Sequence, residues 1–186
     1  MEKRVFTPLN EEVIMDLKAG DSILLSGVVY TARDAAHKRL IEALEENKEL
    51  PLPIKDQVIY YVGPSPAKEN QVIGSAGPTT SYRMDPYAPK LLDLGLKAMI
   101  GKGARNEEVI DAIKRNKAVY LGAIGGAAAL IAKSIEKSEV IAYDDLGAEA
   151  IRKLEVKDMP LIVVIDCKGN NLYNIGKSDY LKNYKK

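Results

Sequence analysis

Apolar residues recur along the chain with two different periods, which predict interleaved strands and helices. Runs rich in β-branched residues predict strands, the clearest being Ser22–Thr31, with Gly27 at a candidate β-bulge. Apolar positions three or four residues apart predict amphipathic helices, the clearest of which begins near Asp34. The pattern indicates an α/β or α+β fold in one domain that spans residues 1–186.

Shorter segments of the same two kinds complete the prediction. Asn10 and Asn106 each precede two acidic residues, so both are expected to cap a helix at its N-terminus. Further strands are expected at Lys3–Phe6, Gln57–Val62, Ala98–Ile100, Lys117–Leu121 and Val140–Tyr143, with strand or mixed segments at Glu149–Val156 and Leu161–Asp166. Further helices are expected at Glu11–Leu17, Pro89–Leu96, from Asn106 to about Arg115, and from Gly125. Lys168–Asn171 has the composition of a hairpin turn.

Composition and charge exclude several classes of protein. An apolar content of 46% is enough for a hydrophobic core, and a net charge of +1 gives no broad field to attract nucleic acid or an anionic membrane. The first 13 residues are charged throughout, and no run approaches the roughly 20 apolar residues of a membrane span. We therefore expect a cytoplasmic protein without a nucleic-acid or membrane partner.

Cys167 is the only cysteine of the chain. A single cysteine excludes an internal disulfide, and it excludes an iron–sulfur cluster held by this chain alone, because such clusters need three or four thiolates. We expect Cys167 to be a small structural residue and predict no metal site within the chain.

The stretch GSAGPTTSYRMDPYAPKLLDLGLKAMIGKG, from Gly74 to Gly103, carries most of the candidate chemistry. A Gly-Pro turn should hold the hydroxyls of Thr79 and Thr80 on stiff backbone. Arg83 offers a planar fork of donors that suits a carboxylate, and Lys102 adds a compact charge between two glycines. These are the parts of a site for a small acid.

A nucleotide-binding module is a competing interpretation. Gly101-Lys102-Gly103 resembles part of a phosphate-binding loop. The backbone amides at Gly125-Gly126 could bind an anion at a helix N-terminus. However, five residues instead of four separate Gly95 from Gly101, and Gly103 stands where Ser or Thr should bind Mg²⁺. Close helix packing explains the small residues after Gly125 equally well.

Several sequence blocks, in one order along nearly the whole chain, resemble a known family. GPTTSYRMDPYAP and GLKAMIGKG, together with SGVVYTARDAAHKRL, YVGPSP, YLGAIGGAAAL and MPLIVVIDCKGNNLY, resemble the β subunit, or C-terminal domain, of iron–sulfur-dependent class I fumarases and the related L-tartrate dehydratases. The resemblance implies a single α/β domain with the swivelling β/β/α fold of the fumarase C-terminal domain.

The resemblance also implies a reaction and a partner. The reaction would be the reversible hydration of fumarate to L-malate, or alternatively the dehydration of L-tartrate to oxaloacetate. A [4Fe–4S] cluster with one open iron would act as Lewis acid and would be bound by a separate α subunit, in a hetero-oligomer such as α2β2. A purely structural role for this chain is the remaining alternative.

The family's functional residues correspond to four positions here. The resemblance implies that Arg33, Arg83 and Lys102 bind the substrate carboxylates and that Thr79 lies at the reacting carbon. A threonine hydroxyl needs an activating carboxylate to move a proton, and the resemblance implies one on the α subunit. Thr80 is the alternative reactive hydroxyl, but the spacing from Thr79 to Arg83 fits the family better.

Four neighbouring residues receive structural interpretations. Asp34 is expected to be a helix N-cap, and His37, the only histidine, to be a packed group rather than a catalytic one. Asp85 is expected in a turn or behind the site. The resemblance implies that Tyr82 stands at a position that varies within the family, so its ring could help to select fumarate or tartrate.

Overall fold

The structure is a computed structural model that describes residues 2–123 and 128–184. The described strands are β1 (Lys3–Phe6), β2 (Ser22–Thr31), β3 (Val58–Tyr60), β4 (Ala98–Gly101), β5 (Val119–Gly122), β6 (Ile135–Ala142) and β7 (Ile151–Ile165). The described helices are α1 (Glu11–Asp16), α2 (Asp34–Glu45), α3 (Ala88–Asp93), α4 (Glu107–Asn116), α5 (Ala128–Lys133) and α6 (Leu172–Tyr184), and 3₁₀ turns lie at Ser81–Met84 and Asp144–Glu149. The predicted single α/β domain is confirmed.

The strands pair into a sheet that closes on itself. β2, β3, β4 and β5 are parallel neighbours, and β7 runs antiparallel to both β2 and β5, which completes a ring of five strands. β1 pairs with β2 and β6 pairs with β7 on the outside of this ring. Because four ring strands are parallel, their carboxyl ends lie at one edge of the ring.

The two faces of the ring strands contribute to two hydrophobic clusters. Val58 and Tyr60 of β3 belong to the cluster inside the ring, which also takes in alternate residues of β2, β4, β5 and β7. Ile59 and Tyr61 belong to a second cluster, where the ring packs against α2, α3 and α4. Burial on both faces explains the continuous apolar runs of the parallel strands.

Local sequence signals set several boundaries as predicted. β2 spans Ser22–Thr31, and its register shifts between Leu25 and Gly27, so the predicted bulge is confirmed. Both predicted caps are confirmed, since the Asn10 and Asn106 side chains accept hydrogen bonds from the N–H groups of Val13 at 2.8 Å and Val109 at 2.9 Å.

The C-terminal third differs from the prediction. The two expected segments around Met159-Pro160 form one strand, β7, of 15 residues. Between Asp158 and Leu161 this strand pairs with β2 alone, so Pro160 is tolerated there as it is in an edge strand. Lys168–Asn171 does turn back, but Asn171 makes only an isolated bridge to Ile165 before α6 begins.

The glycines expected to open a helix, Gly125 and Gly126, lie outside the described residues. None of the described helices is long and apolar enough to cross a membrane.

A buried ion pair ties the Ser81–Met84 turn to the start of α4. Arg105 Nε donates to Asp85 Oδ1 at 2.6 Å, and the Asn106 N–H donates to Asp85 Oδ2 at 2.8 Å. The Arg105 guanidinium also lies 5.3 Å from the ring centre of Tyr61 and 5.1 Å from that of Tyr120. Both carboxylate oxygens of Asp85 are therefore bonded, as expected of a residue that holds a turn behind a site.

Replacing Asp85 by Ala should lower the free energy of unfolding by about 3–5 kcal/mol, because it leaves the Arg105 charge buried without its partner. Asp93→Ala is a matched control, since the Asp93–Arg115 pair is also bonded at 2.8 Å but half-exposed, and such pairs contribute about 0–1 kcal/mol. Urea denaturation of both variants measures the difference. Equal losses in the free energy of unfolding would show that the buried pair contributes no more to stability than the half-exposed pair.

Candidate active site

The predicted site residues follow neighbouring strands at the edge of the ring where the parallel strands end. Arg33 comes two residues after β2, and Lys102 comes directly after β4. Thr79 and Arg83 belong to the long connection from β3 to α3. In open parallel sheets, ligands bind in the crevice outside the carboxyl ends of the strands, and this edge is the corresponding place in this ring.

Residues 79–81 lie between the ends of β3 and β4. The Thr79 N–H donates to the Tyr61 carbonyl at 2.6 Å, on the β3 side. On the β4 side, Thr80 forms a parallel bridge with Lys102, and the Ser81 N–H donates to the Lys102 carbonyl at 2.9 Å. The backbones of Thr79 and Lys102 are thus held close together by hydrogen bonds on either side of one short segment.

Gly101 allows this segment to approach β4. A Cβ atom at Gly101 would lie only 1.9 Å from Ser81 Oγ, which no side chain could tolerate. The Ser81 hydroxyl bonds to the Tyr120 hydroxyl at 2.9 Å, and Tyr120 in turn donates to the Gly103 carbonyl at 3.0 Å. The glycine before Lys102 therefore serves close packing.

Asp34 links the two predicted arginines. Its Oδ1 accepts from Arg83 Nε at 2.7 Å, and its Oδ2 lies 3.6 Å from Arg33 Nη2. The prediction that Asp34 is an N-cap is wrong, because Arg33 occupies the cap position and Asp34 is the first residue of α2. Its carboxylate is thereby directed to Arg83, and Arg33 and Arg83 lie within reach of one small ligand.

Glu149, which is distant from Arg33 in the sequence, forms a salt bridge with it. Its Oε1 lies 3.3 Å from Arg33 Nη2, and its Oε2 accepts from the Ala35 N–H at 3.1 Å. Gly63 makes room for the same guanidinium, because a Cβ there would lie 2.8 Å from Arg33 Nη1. One carboxylate thus caps the first turn of α2 and fixes the arginine that precedes it.

Lys102 is the one of the three predicted cations that no described acid neutralises. It is exposed, and it forms no salt bridge with any acid in the part of the chain that the structure describes. These three cations and the carboxylates of Asp34 and Glu149, taken without Arg152, sum to a charge of about +1. A dianionic ligand would therefore find excess positive charge here.

His37 lies directly behind Arg33 and is fully buried. Its Nδ1 and its backbone N–H both approach the Arg33 carbonyl, at 2.9 and 2.8 Å. Because a carbonyl can only accept, Nδ1 carries the ring proton, and Nε2 has no partner among the described residues. Burial lowers the pKa of His37 from 6.5 to about 4, so this side chain supports the backbone of Arg33 in its neutral form.

Comparison with known proteins decides the family. The model of the family described as "Fumarase C-terminus" matches residues 3–176. The chain belongs to this family.

The relatives differ in length. An aerobic class I fumarate hydratase of Escherichia coli K12 is 44% identical over 151 residues, which are 80% of this chain and 28% of that protein. A Methanocaldococcus jannaschii protein, provisionally named L(+)-tartrate dehydratase subunit beta, is 39% identical over 184 residues, 95% of this chain and 94% of its own length. The chain spans about a quarter to a third of the length of the fumarate hydratases that it matches, and nearly all of the tartrate dehydratase subunit.

This fumarase C-terminal domain offers no cluster-binding side chains in the described residues. They contain no group of three or more His, Cys, Asp or Glu residues arranged to hold a metal ion. Cys167 is buried, with its sulfur 3.6 Å from Met15 Sδ. The described residues therefore do not fit an iron–sulfur cluster.

The roles of Thr79, Arg33, Arg83 and Lys102 stay predictions. The geometry adds two residues to the site of this fumarase C-terminal domain. Asp34 was predicted to be a helix cap, and no role was predicted for Glu149. Asp34 was visible as an acid beside Arg33, but its contact with Arg83 required the fold. Glu149 stands 116 positions after Arg33 in the sequence, and no local signal connects the two.

The buried histidine gives the domain a testable pH dependence. An unfolded chain takes up a proton on His37 near pH 6.5, whereas the folded chain resists it until about pH 4 because the ring is buried. This contribution to stability is therefore complete above pH 6.5 and is lost as the pH falls towards 4. Since His37 is the only histidine, NMR titration of its ring should give a pKa well below 6, and a midpoint near 6.5 would contradict its burial.

Proposed function

We propose that this chain is the β subunit of an iron–sulfur-dependent hydro-lyase that interconverts fumarate and L-malate. The family and the class I fumarate hydratases among its relatives support this chemistry. The observation that carries the proposal is the meeting of Arg33 and Arg83 at Asp34, on the strand edge where Thr79 and Lys102 also lie.

The cations of this edge suit a four-carbon dicarboxylate. Arg33 and Arg83 present planar forks that can each hold a carboxylate by two parallel hydrogen bonds. Lys102 adds a point charge with no competing acid in the described residues. On this proposal the three side chains bind and orient the two carboxylates and leave the carbons between them facing Thr79.

Thr79 is the proposed proton-handling group of this chain. Its backbone is fixed by the bond to the Tyr61 carbonyl, so its hydroxyl can be held in one position against a bound acid. A threonine hydroxyl is too weak an acid to act alone. The nearby carboxylates of Asp34, Glu149 and Asp85 all face arginines, so we propose that the activating carboxylate comes from the partner.

The partner is proposed to be an α subunit that binds a [4Fe–4S] cluster. This chain has one buried cysteine and cannot hold such a cluster itself. The matching part makes up 28% of the Escherichia coli fumarate hydratase, whereas the Methanocaldococcus jannaschii relative is named as a subunit and has nearly the size of this chain. Both facts support a second polypeptide that completes the site.

L-Tartrate dehydration is the second candidate, favoured by the relative that matches this chain over almost its whole length. Tartrate carries one more hydroxyl than malate, and Tyr82, which is 64% exposed beside Arg83, could favour either acid. Turnover of L-malate and L-tartrate by the same α–β complex distinguishes the two functions. A larger kcat/KM for tartrate would assign the chain to the dehydratase.

Arg83→Ala and Lys102→Ala, each assayed in the complex with the α subunit, should lower kcat/KM roughly 10- to 100-fold, because each removes a charged hydrogen bond to a carboxylate. Arg115→Ala is the control, since Arg115 pairs with Asp93 away from this edge and should leave kcat/KM unchanged. Circular dichroism should show that all three variants fold. Unchanged kinetics for both Arg83→Ala and Lys102→Ala would reject the proposed site and leave a purely structural role.

A further inference from the structure

Arg152 lies at the same edge of the ring, but the proposed reaction does not use it. Its N–H donates to Thr31 Oγ1 at 2.9 Å, and the Thr31 hydroxyl donates to the Ala150 carbonyl at 3.3 Å. These bonds fix Arg152 beside the last residue of β2. Two residues further along β7, Leu154 belongs to the cluster inside the ring, so the Arg152 side chain starts on this inner face, at the rim.

Arg152 is the arginine without an acidic partner in the described part of the chain. Each of the other arginines forms a salt bridge; these are Arg4, Arg33, Arg39, Arg83, Arg105 and Arg115. The Nε atom of Arg152 is buried and bonds to no described residue. A buried donor without a partner costs about 1–3 kcal/mol, so a bound ligand or water at this position would be favoured.

A cavity of about 280 Å³ adjoins this side chain. Its walls are the loop of residues 64–67, Val72 with Ile73, and the turn at Gly147-Ala148. Among the described residues of this lining, Arg152 is the only charged one, and the rest are mostly apolar. At about 30 Å³ per water molecule, the cavity has room for a small organic molecule.

We propose that Arg152 and this cavity form a second binding site, for a small carboxylate with an apolar carbon chain. One planar guanidinium can hold one carboxylate by two hydrogen bonds, and walls of Pro, Ala, Val and Ile suit aliphatic carbon. A phosphate would leave most of its oxygens facing apolar wall. Neither Arg33 nor Arg83 lines this cavity, and their guanidinium groups are held by Asp34 and Glu149.

NMR spectra of the ¹⁵N-labelled full chain, titrated with butyrate, test this site directly. The amide resonances of Ala67, Ile73 and Ala148 should shift in a saturable manner. Arg152→Gln should weaken the apparent affinity at least about tenfold, because the charged donor is lost. Arg4→Gln is the matched control, since Arg4 also lies on a strand but is exposed and faces Asp158, and it should leave the titration unchanged.

Two further titrations distinguish this site from the proposed active site and from binding that needs no charge. Arg83→Gln should leave butyrate binding intact, so failure of the proposed active site would not affect this result. Butyramide, the neutral analogue, should not shift the same resonances. If Arg152→Gln does not fold, Arg152→Lys replaces it, because lysine keeps the positive charge but lacks the planar fork of donors. This variant should bind butyrate several-fold more weakly than the wild-type chain does.

Three results would overturn the proposal. The first is equal affinity for butyrate in the wild-type chain and a folded Arg152 variant. The second is the absence of saturable shifts at the cavity, which would mean that water alone occupies it. The third is tighter binding of inorganic phosphate than of butyrate at the same resonances, which would contradict the assignment to carboxylates.

Discussion

The three hydrogen-bonded residues 79–81 are the constraint on which the candidate site depends. They enter the gap between the ends of β3 and β4 and bond to Tyr61 on one side and Lys102 on the other. The closeness of Ser81 to Gly101 shows how little space this arrangement leaves. Without these hydrogen bonds, Thr79 and Arg83 would belong to an ordinary surface loop, and Lys102 would be a lone cation after a strand.

The second constraint is electrostatic. Arg33 and Arg83 are held by Asp34 and Glu149 before any ligand binds, so their forks are already oriented and little side-chain entropy remains to be lost. The same carboxylates reduce the positive charge that a dianion would meet.

Local physics made much of the fold predictable. β-Branched residues and a glycine bulge defined β2, and asparagine caps with following acids defined α1 and α4. The four candidate site residues could be named because they stand in dense motifs. What could not be predicted depends on contacts between distant segments. Glu149 pairs with Arg33, and Arg105 pairs with Asp85. β7 is unbroken because Pro160 has only one neighbouring strand and is tolerated there. Asp34 combines a local and a long-range determinant. Its sequence position predicted a helix cap, but in the fold its carboxylate bonds to Arg83.

The central claim is that the cationic side of one active site lies on this chain and the iron–sulfur side on a partner. Malate dehydration assayed anaerobically with this chain alone, the α subunit alone and the two together tests that claim most directly. The account predicts no activity and no brown colour for this chain alone, and a brown, oxygen-sensitive hydro-lyase when both are present. Robust turnover of malate by this chain alone, without iron, would contradict it.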